Sequence, residues 1–440
     1  AIPDGGIPAN IGGAYNLRAI LRRALSLAEK HRFDIDWSEL IMRTIEYFSK
    51  TFHRIAPIRD TAPDIWEHER RKYMETIERA IRELRRLVKK HKIHIIDSDM
   101  LRTFYLNYGV PPEEVEILAG KLNLDVEVRI SPNFYDEIKN LAPTQEIGED
   151  EKKAHMMRML ESIAENLPPT KMLYYDDPFL REFEAKVIHS NDRYIVLDRT
   201  AFYPRGGGQH EDHGVISLGN EKYNVVNVHK VKNVIVHELD RKFDPKYVGS
   251  LVRGRINWHR RLSLMRHHTA THIINGAARR VLGPHVWQMG AEKTPEKAHL
   301  DISHYKNLTY EEIRKIEDLA NRVVLENRPV LLRFMSRTEA EKKYGVRIYQ
   351  GGAVPAATLR IVDIEGWDVE ACGGTHLTQT ILVGPIKIIN TKKIHDGVIR
   401  IEFVAGEKAL EFIGKNERFL KDACSVLRVQ PENLPKVVQR

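Results

Sequence analysis

The chain has 440 residues, of which 42% are hydrophobic and 30% charged, a balance that supports several cores and excludes a disordered chain. No apolar run approaches the ~20 residues that cross a bilayer, so a soluble globular protein is expected, with no membrane partner. Sixty-nine Lys and Arg against 61 Asp and Glu leave a net charge of +8, which favours a polyanionic partner without requiring one. The two cysteines, Cys372 and Cys424, cannot frame a disulfide-stapled fold. A reducing, cytoplasmic setting is therefore expected, with a cysteine left for metal or catalytic work. The opening on Ala1, in a Pro/Gly-rich stretch, leads to the expectation of a portion of a longer protein.

In chain order, apolar residues recur at helical spacing from about Asn16 to His94. Leu17, Ile20, Leu21 and Ala24 alternate with Arg18, Arg22 and Arg23. Met74, Ile77, Ile81, Leu84 and Val88 predict one face of a later helix, with Arg79, Arg82, Arg86, Lys89 and Lys90 roughly opposite. That basic stripe fits RNA phosphates or a merely solvated face, since Glu75, Glu78 and Glu83 are interleaved. The first ~165 residues therefore read as mainly α. An acidic, polar stretch from Thr144 to Pro169 marks a boundary.

Short β-rich runs follow. Lys186 to Ser190 and Tyr194 to Asp198 flank Asn191-Asp192, while Gly214 to Leu218 and Tyr223 to Val228 flank Gly219-Asn220, which predicts two hairpins and a small barrel to about residue 250. Arg266 to Leu282 reads as a helix, and Thr309 with Glu312 forms a capping box for a second that ends before Pro329. Strand-like runs return at Arg347 to Tyr349, Thr358 to Val362 and Pro385 to Ile389, giving an α+β region; Glu407 to Val426 is helical. The expected fold class is multidomain, with a mainly α N-terminal domain at 1–166, a small β-barrel at 167–250, an α+β zinc-containing domain at 251–404 and the start of a further region at 405–440.

Two short motifs carry the chemistry. His268 and His272, at i and i+4, share a helical face and can bind one Zn²⁺. Cys372-Gly-Gly-Thr-His376 adds a thiolate and an imidazole on a glycine-rich turn, completing a four-ligand His/Cys set for Zn²⁺. The spacing lacks the glutamate of HExxH, so a peptide-cleaving zinc enzyme is disfavoured, and the metal either anchors the fold or polarises a carbonyl or water. Gly206-Gly207-Gly208-Gln209 has neither the ending of a phosphate loop nor a dinucleotide fingerprint. It reads either as a tight turn or as a place where a large ligand meets the backbone and the Gln209 amide bonds an ester or a 3′-terminal adenosine.

Taken together, the Gly-Gly-Gly-Gln segment, His268-x-x-x-His272 and Cys372-Gly-Gly-Thr-His376 resemble the editing domain of alanyl-tRNA synthetases, shared with freestanding alanyl-tRNA editing proteins. Asp4 to Asn10 with Gly12 to Arg18 is similar to that family's junction between its aminoacylation core and its helical tRNA-recognition domain. The resemblance implies tRNA(Ala) as partner, with deacylation of seryl- or glycyl-tRNA(Ala) as activity. It implies Gln209, Gly207, Gly208 and Thr375 as catalytic or substrate-positioning residues, with Arg18, Arg79, Arg82 and Arg86 on the tRNA. It also implies that Asn10 and an aspartate read the acceptor-stem G:U pair. The family's Leu-Tyr-Asp pattern appears here as Phe104-Tyr105-Leu106-Asn107, leaving Asp97 and Asp99 as nearby substitutes. The three ATP-binding motifs of class II synthetases are not found, so ATP binding is expected of the parent protein only, with homodimerisation through a C-terminal region. A zinc-stabilised tRNA-binding module without catalysis is the alternative.

Overall fold

The computed structural model describes residues 2–9, 12–139, 147–350, 352 and 356–438. They form two compact units, Ala1–Ala154 and His155–Arg440. The first is mainly α, as expected. It comprises α1 (Gly12–Lys30), α2 (Trp37–Ser49), α3 (Ala62–Arg85), α4 (Ser98–Thr103), α5 (Pro112–Lys121) and α6 (Phe134–Lys139), with two-residue strands β1 (Ile95–Ile96) and β2 (Glu127–Val128) paired in parallel. Asp36 and Asp97 start α2 and α4 by accepting from Glu39 N and Met100 N, which satisfies amide groups that a helix end leaves open. Tyr73, Ile77 and Leu84 on α3 pack with Leu25, Leu101, Phe104 and Phe134.

The face expected of α1 is rotated. Ile20 is 67% exposed, whereas Arg18 is buried to 4%. The cause is the buried Glu69, which accepts from Arg18 Nη2 at 2.9 Å and Arg22 Nε at 2.8 Å, while Pro8 O takes a further Arg18 bond at 3.1 Å. A buried charge paired with Glu69 holds the inner position that periodicity assigned to an apolar side chain. Met74, expected on the apolar face of α3, is likewise exposed.

Helix α7 (Ile147–Ala164) runs across the division between the units. Its Leu160 and Ile163 pack on Tyr194, Val196, Val231 and Val236, so its last turns belong with the following β structure, ahead of the boundary expected at 166. After β3 (Lys171–Met172) and α8 (Leu173–Asp176) come β4 (Glu182–Asn191), β5 (Tyr194–Leu197), β6 (Arg199–Thr200), β7 (Gly214–Leu218), β8 (Glu221–Val231), β9 (Val234–Leu239) and β10 (Leu251–Ile256). Six of these close a barrel in the order β10-β4-β5-β9-β8-β7, and the two predicted hairpins are β4/β5 and β7/β8. β10, with alternating exposed and buried residues, is a barrel wall lying past the boundary expected at 250.

The chain then passes from β10 into α9 (Trp258–Leu282), capped by Asn257. Next come β11 (Gln288–Lys293), β12 (Ala298–Ser303), α10 (Tyr310–Leu325), β13 (Val330–Ser336), α11 (Arg337–Tyr344), β14 (Thr358–Ile364), β15 (Asp368–Ala371), β16 (Ile386–His395), β17 (Val398–Ala405), α12 (Glu407–Leu427) and α13 (Leu434–Val438). The strands form antiparallel sheets β11-β12-β17-β16 and β13-β14-β15. The run Arg347 to Tyr349 is not a strand; Val346–Ile348 is a single 3₁₀ turn that anchors Ile348 against Ala340, Leu359 and Ile361. Helix α9 is buried along nearly its whole length, with Met265, Ala270, Ile273, Ile274, Ala277 and Ala278 in the core against α10 and both sheets. The capping box of α10, Thr309 with Glu312, is present as predicted.

Two neighbouring side chains tie α9 to the barrel; Arg260 donates from Nε to Glu211 O at 2.9 Å. Arg261, fully buried, donates from Nε to Asp212 Oδ1 at 2.9 Å, from Nη1 to Pro178 O at 3.0 Å and from Nη2 to Ala201 O at 2.5 Å. Asp212, also fully buried, accepts from Tyr203 N at 2.6 Å. Arg261→Met strands the Asp212 charge and is expected to cost about 3–5 kcal/mol in urea unfolding, with part recovered in Arg261→Met/Asp212→Leu. Equal stability of wild type and single variant would contradict this.

Candidate functional site

His268 and His272 stand one turn apart on α9, and Cys372 and His376 follow β15. Cys372 Sγ lies 3.2 Å from His268 Nε2 and 3.4 Å from His376 Nε2, and one ligand atom from each of the four falls within 4.8 Å of all the others. A tetrahedral ion with bonds of ~2.0–2.3 Å sets its donors ~3.3–3.8 Å apart, so the cluster has the size of one ion. The predicted ligand set is thus brought together from two elements about a hundred residues apart.

The outer nitrogens of His268 and His376 have hydrogen-bond partners, and that of His272 faces two carboxylates without a hydrogen bond. His268 Nδ1 donates to Gln209 Oε1 at 2.7 Å, and His376 Nδ1 lies 3.3 Å from Thr269 Oγ1. His272 Nδ1 is 3.4 Å from Glu370 Oε2 and 3.9 Å from Asp368 Oδ2. An acceptor at Nδ1 leaves Nε2 free to ligate, which Gln209 Oε1 provides for His268 and the facing Glu370 carboxylate favours for His272. The close group His272, Asp368 and Glu370 is therefore the outer layer of the same centre rather than a second one. Asn275 Nδ2 holds Glu370 at 2.8 Å and Arg279 Nη1 holds Asp368 at 3.0 Å.

Electrostatics agree with ligation. Burial and neighbouring charges hold His268 and His376 well below the ordinary histidine range, so both imidazoles are neutral. Burial alone raises the Cys372 thiol, yet His272 and Lys293 outweigh it and leave the thiol below its usual value. Burial, with Glu370 beside it, pushes Asp368 up to about 8.

Gly206 and Gln209 exchange backbone bonds of 3.0 Å around Gly207 and Gly208, whose φ values of 58° and 73° make a two-residue turn. A Cβ at Gly208 would lie 2.0 Å from Ala291 O, and one at Gly374 would lie 1.9 Å from His268 Cε1, so both backbones approach where no side chain fits. The turn aims the buried Gln209 inward. Its Oε1 accepts from His268 Nδ1 and from Thr375 N at 3.0 Å, and its Nε2 donates to Thr375 Oγ1 at 2.8 Å. Gln209 and Thr375, expected to position a substrate, are both fully buried, with Gln209 bonded to His268 and Thr375.

The remaining predicted residues lie in the first unit. Arg18 is buried against Glu69 and presents no surface charge. Arg79 and Arg82 are exposed on α3, and Arg79 bonds only within its own helix, at Glu75 O and Thr76 Oγ1. Arg86 is already paired, with bonds of 2.8 and 2.6 Å to Glu83. Asp97 is committed to capping α4, and Asp99 is exposed beside Arg102 at 2.9 Å. Asn10 lies outside the described residues. Sequence reasoning missed Asp368, Glu370, Lys293 and Arg360. The alternation Asp368-x-Glu370-x-Cys372 was a usable signal, because a strand puts all three on one face.

Comparison with known proteins adds the lineage. Residues 1–260 match the family described as tRNA synthetases class II (A), and residues 359–402, which include Cys372 and His376, match the threonyl and alanyl tRNA synthetase second additional domain. Fold and site are thus those of an aminoacyl-tRNA synthetase chain carrying that additional domain. The alanine–tRNA ligase of Ignicoccus hospitalis is 44% identical over 437 residues, covering 99% of this chain and 48% of its own length. Those of Pyrococcus abyssi (44% over 442 residues) and Sulfurisphaera tokodaii (42% over 441) each cover 100% of this chain and 48% of their own. The chain belongs to this alanine–tRNA ligase family and spans about half the length of these relatives. No helix among the described residues is long and apolar enough to cross a membrane.

If Gln209 orients His268, Gln209→Ala weakens metal binding by about 10–100-fold in chelator competition with zinc as the probe. Unchanged affinity would remove Gln209 from the outer layer.

Proposed function

We propose that the chain recognises tRNA(Ala) through its N-terminal unit and hydrolyses seryl- or glycyl-tRNA(Ala) at the His/Cys centre. The observation that carries this reading is a four-ligand centre, with His268 held by Gln209, whose accessible edge is glycine. His268, His272 and His376 are buried, whereas Gly207, Gly208 and Gly373 are exposed beside a half-buried Cys372. A terminal nucleotide can approach backbone there. Three imidazole nitrogens and a cysteine sulfur suit Zn²⁺, which when bound at His268, His272, Cys372 and His376 supplies Lewis acidity toward a carbonyl or water.

The need for such a site follows from selectivity. A pocket sized for alanine rejects an added hydroxyl by only about 10²-fold, so misacylated tRNA must be cleared at a second site. In this chain, Gln209 and Thr375 keep His268 in place while the Gly207-Gly208 turn admits the acylated 3′ end. Water attacks the ester carbonyl, releasing the amino acid.

In the N-terminal unit, Arg79 and Arg82 are proposed to meet phosphates, having no carboxylate partner among the described residues. Asn10 and Asp99 are the proposed readers of the G:U pair, since Asp97 is spent on its helix. Homodimerisation is proposed for the parent protein, through a C-terminal region of which residues 405–440 form the start. One observation favours the alternative of a non-catalytic metal module: four protein ligands complete a tetrahedral shell, as structural zinc sites do.

The deciding experiment is deacylation by the wild-type chain, which is expected to clear Ser-tRNA(Ala) while sparing Ala-tRNA(Ala). His272→Ala and Cys372→Ala should lose stoichiometric zinc and that activity together. Full zinc with no deacylation of either tRNA would establish the non-catalytic module.

Charge reversal at Arg79 and Arg82 is expected to weaken tRNA binding and to lower the salt slope by about one unit per lost phosphate contact. Wild-type affinity across several salt concentrations would return the stripe to a solvated face.

A further inference from the structure

Two buried cations at the centre act on Cys372 by charge and also hold hydrogen-bond donors in reserve. Lys293, at the end of β11, is 1% exposed and donates from Nζ to Gly207 O at 3.0 Å. It has no ion pair and no second side-chain bond among the described residues. An ammonium carries three donors, so two remain unused. Arg360, on β14, is 7% exposed; its Nη1 donates to Cys372 O at 3.0 Å and Gly374 O at 2.7 Å, and its guanidinium lies 5.0 Å over the Tyr175 ring. Its Nη2 is buried without a partner, and no carboxylate pairs with it among the described residues.

A neutral donor could cap Gly207 O or the Cys372 loop, so capping does not account for two buried, unpaired positive charges, which are costly to keep. Electrostatic sites of this kind are built where negative charge arrives or develops. Their location is specific. Lys293 lies under the exposed Gly207-Gly208 turn, Arg360 lies under the Cys372–Gly374 loop, and those two segments border the accessible edge of the centre.

We propose that Lys293 is a catalytic residue of deacylation, donating an unused N–H to the ester carbonyl oxygen as it becomes an oxyanion, and that Arg360 is the positioning residue that fixes the Cys372–Gly374 loop. The inference rests on the editing reading. The water oxygen bonds to the carbonyl carbon, and the carbonyl π pair moves onto oxygen, where Lys293 meets it. Collapse then breaks the bond to the ribose oxygen, which leaves with the proton given up by water. Lys293 keeps its own protons throughout.

The test is single-turnover deacylation of Ser-tRNA(Ala) by zinc-loaded wild type, Lys293→Met and Lys293→Gln, with zinc content and melting temperature measured for each. Loss of one oxyanion donor should lower the saturating rate by about 10²–10³-fold, with half-saturation and zinc content unchanged. A second readout isolates the role from folding. A tetrahedral phosphonate analogue of seryl-adenosine should bind wild type at least ~10-fold more tightly than the variants, whereas a planar 3′-amide analogue should bind all three alike. Equal loss for both analogues, or variant rates within twofold of wild type, would overturn the role of Lys293 and leave the editing reading standing. An inert, zinc-loaded wild type would overturn the editing reading and this inference with it.

Discussion

The buried pair of Arg261 and Asp212 is the constraint on which the centre depends. The loop from Ala201 to Asp212 is buried at both ends, Ala201 to Pro204 and Glu211 to Asp212, and buried backbone must find partners for its amides and carbonyls. Arg261 takes Ala201 O, and Asp212 takes Tyr203 N. Arg261 sits on α9 two turns ahead of His268, so the bonds that satisfy the loop also set its glycine turn against the histidine helix. The joint is reinforced by Arg260 on Glu211 and by backbone bonds of Gly208 and His210 to Lys293.

The centre itself is assembled from three directions. Helix α9 supplies two ligands, the segment after β15 supplies two more, and the barrel loop supplies the amide that orients one of them. Burial is what makes the arrangement useful. It keeps the imidazoles neutral, raises Asp368 beside Glu370, and strengthens the influence of Lys293 and Arg360 on Cys372. A low-dielectric pocket containing several unbalanced charges is poor for stability alone and suited to a reaction that generates an anion.

The N-terminal unit spends much of its positive charge internally. Arg18 and Arg22 converge on the buried Glu69, and Arg86 is matched by Glu83. A count of basic residues therefore overstates the surface offered to a polyanion. Arg79 and Arg82 remain outward because their positions on α3 lie opposite Ile77 and Leu84.

The sequence by itself determined what depends on neighbours along the chain: the two hairpin turns, the capping box at Thr309, the helix carrying His268 and His272, and the pairing of that motif with Cys372 and His376. These are short-range signals, set by backbone torsion, helix-end amides and ligand chemistry. Only the tertiary structure decided that Arg18 turns inward while Ile20 turns out, that residues 346–348 form a turn, and that β10 closes the barrel. It alone decided that Gln209 bonds His268 and that Lys293 and Arg360 lie beneath the site with no carboxylate partner among the described residues. Each of these outcomes depends on a partner tens to more than a hundred residues away, and a buried charge or amide is placed by the groups that can satisfy it, which periodicity along one segment does not contain.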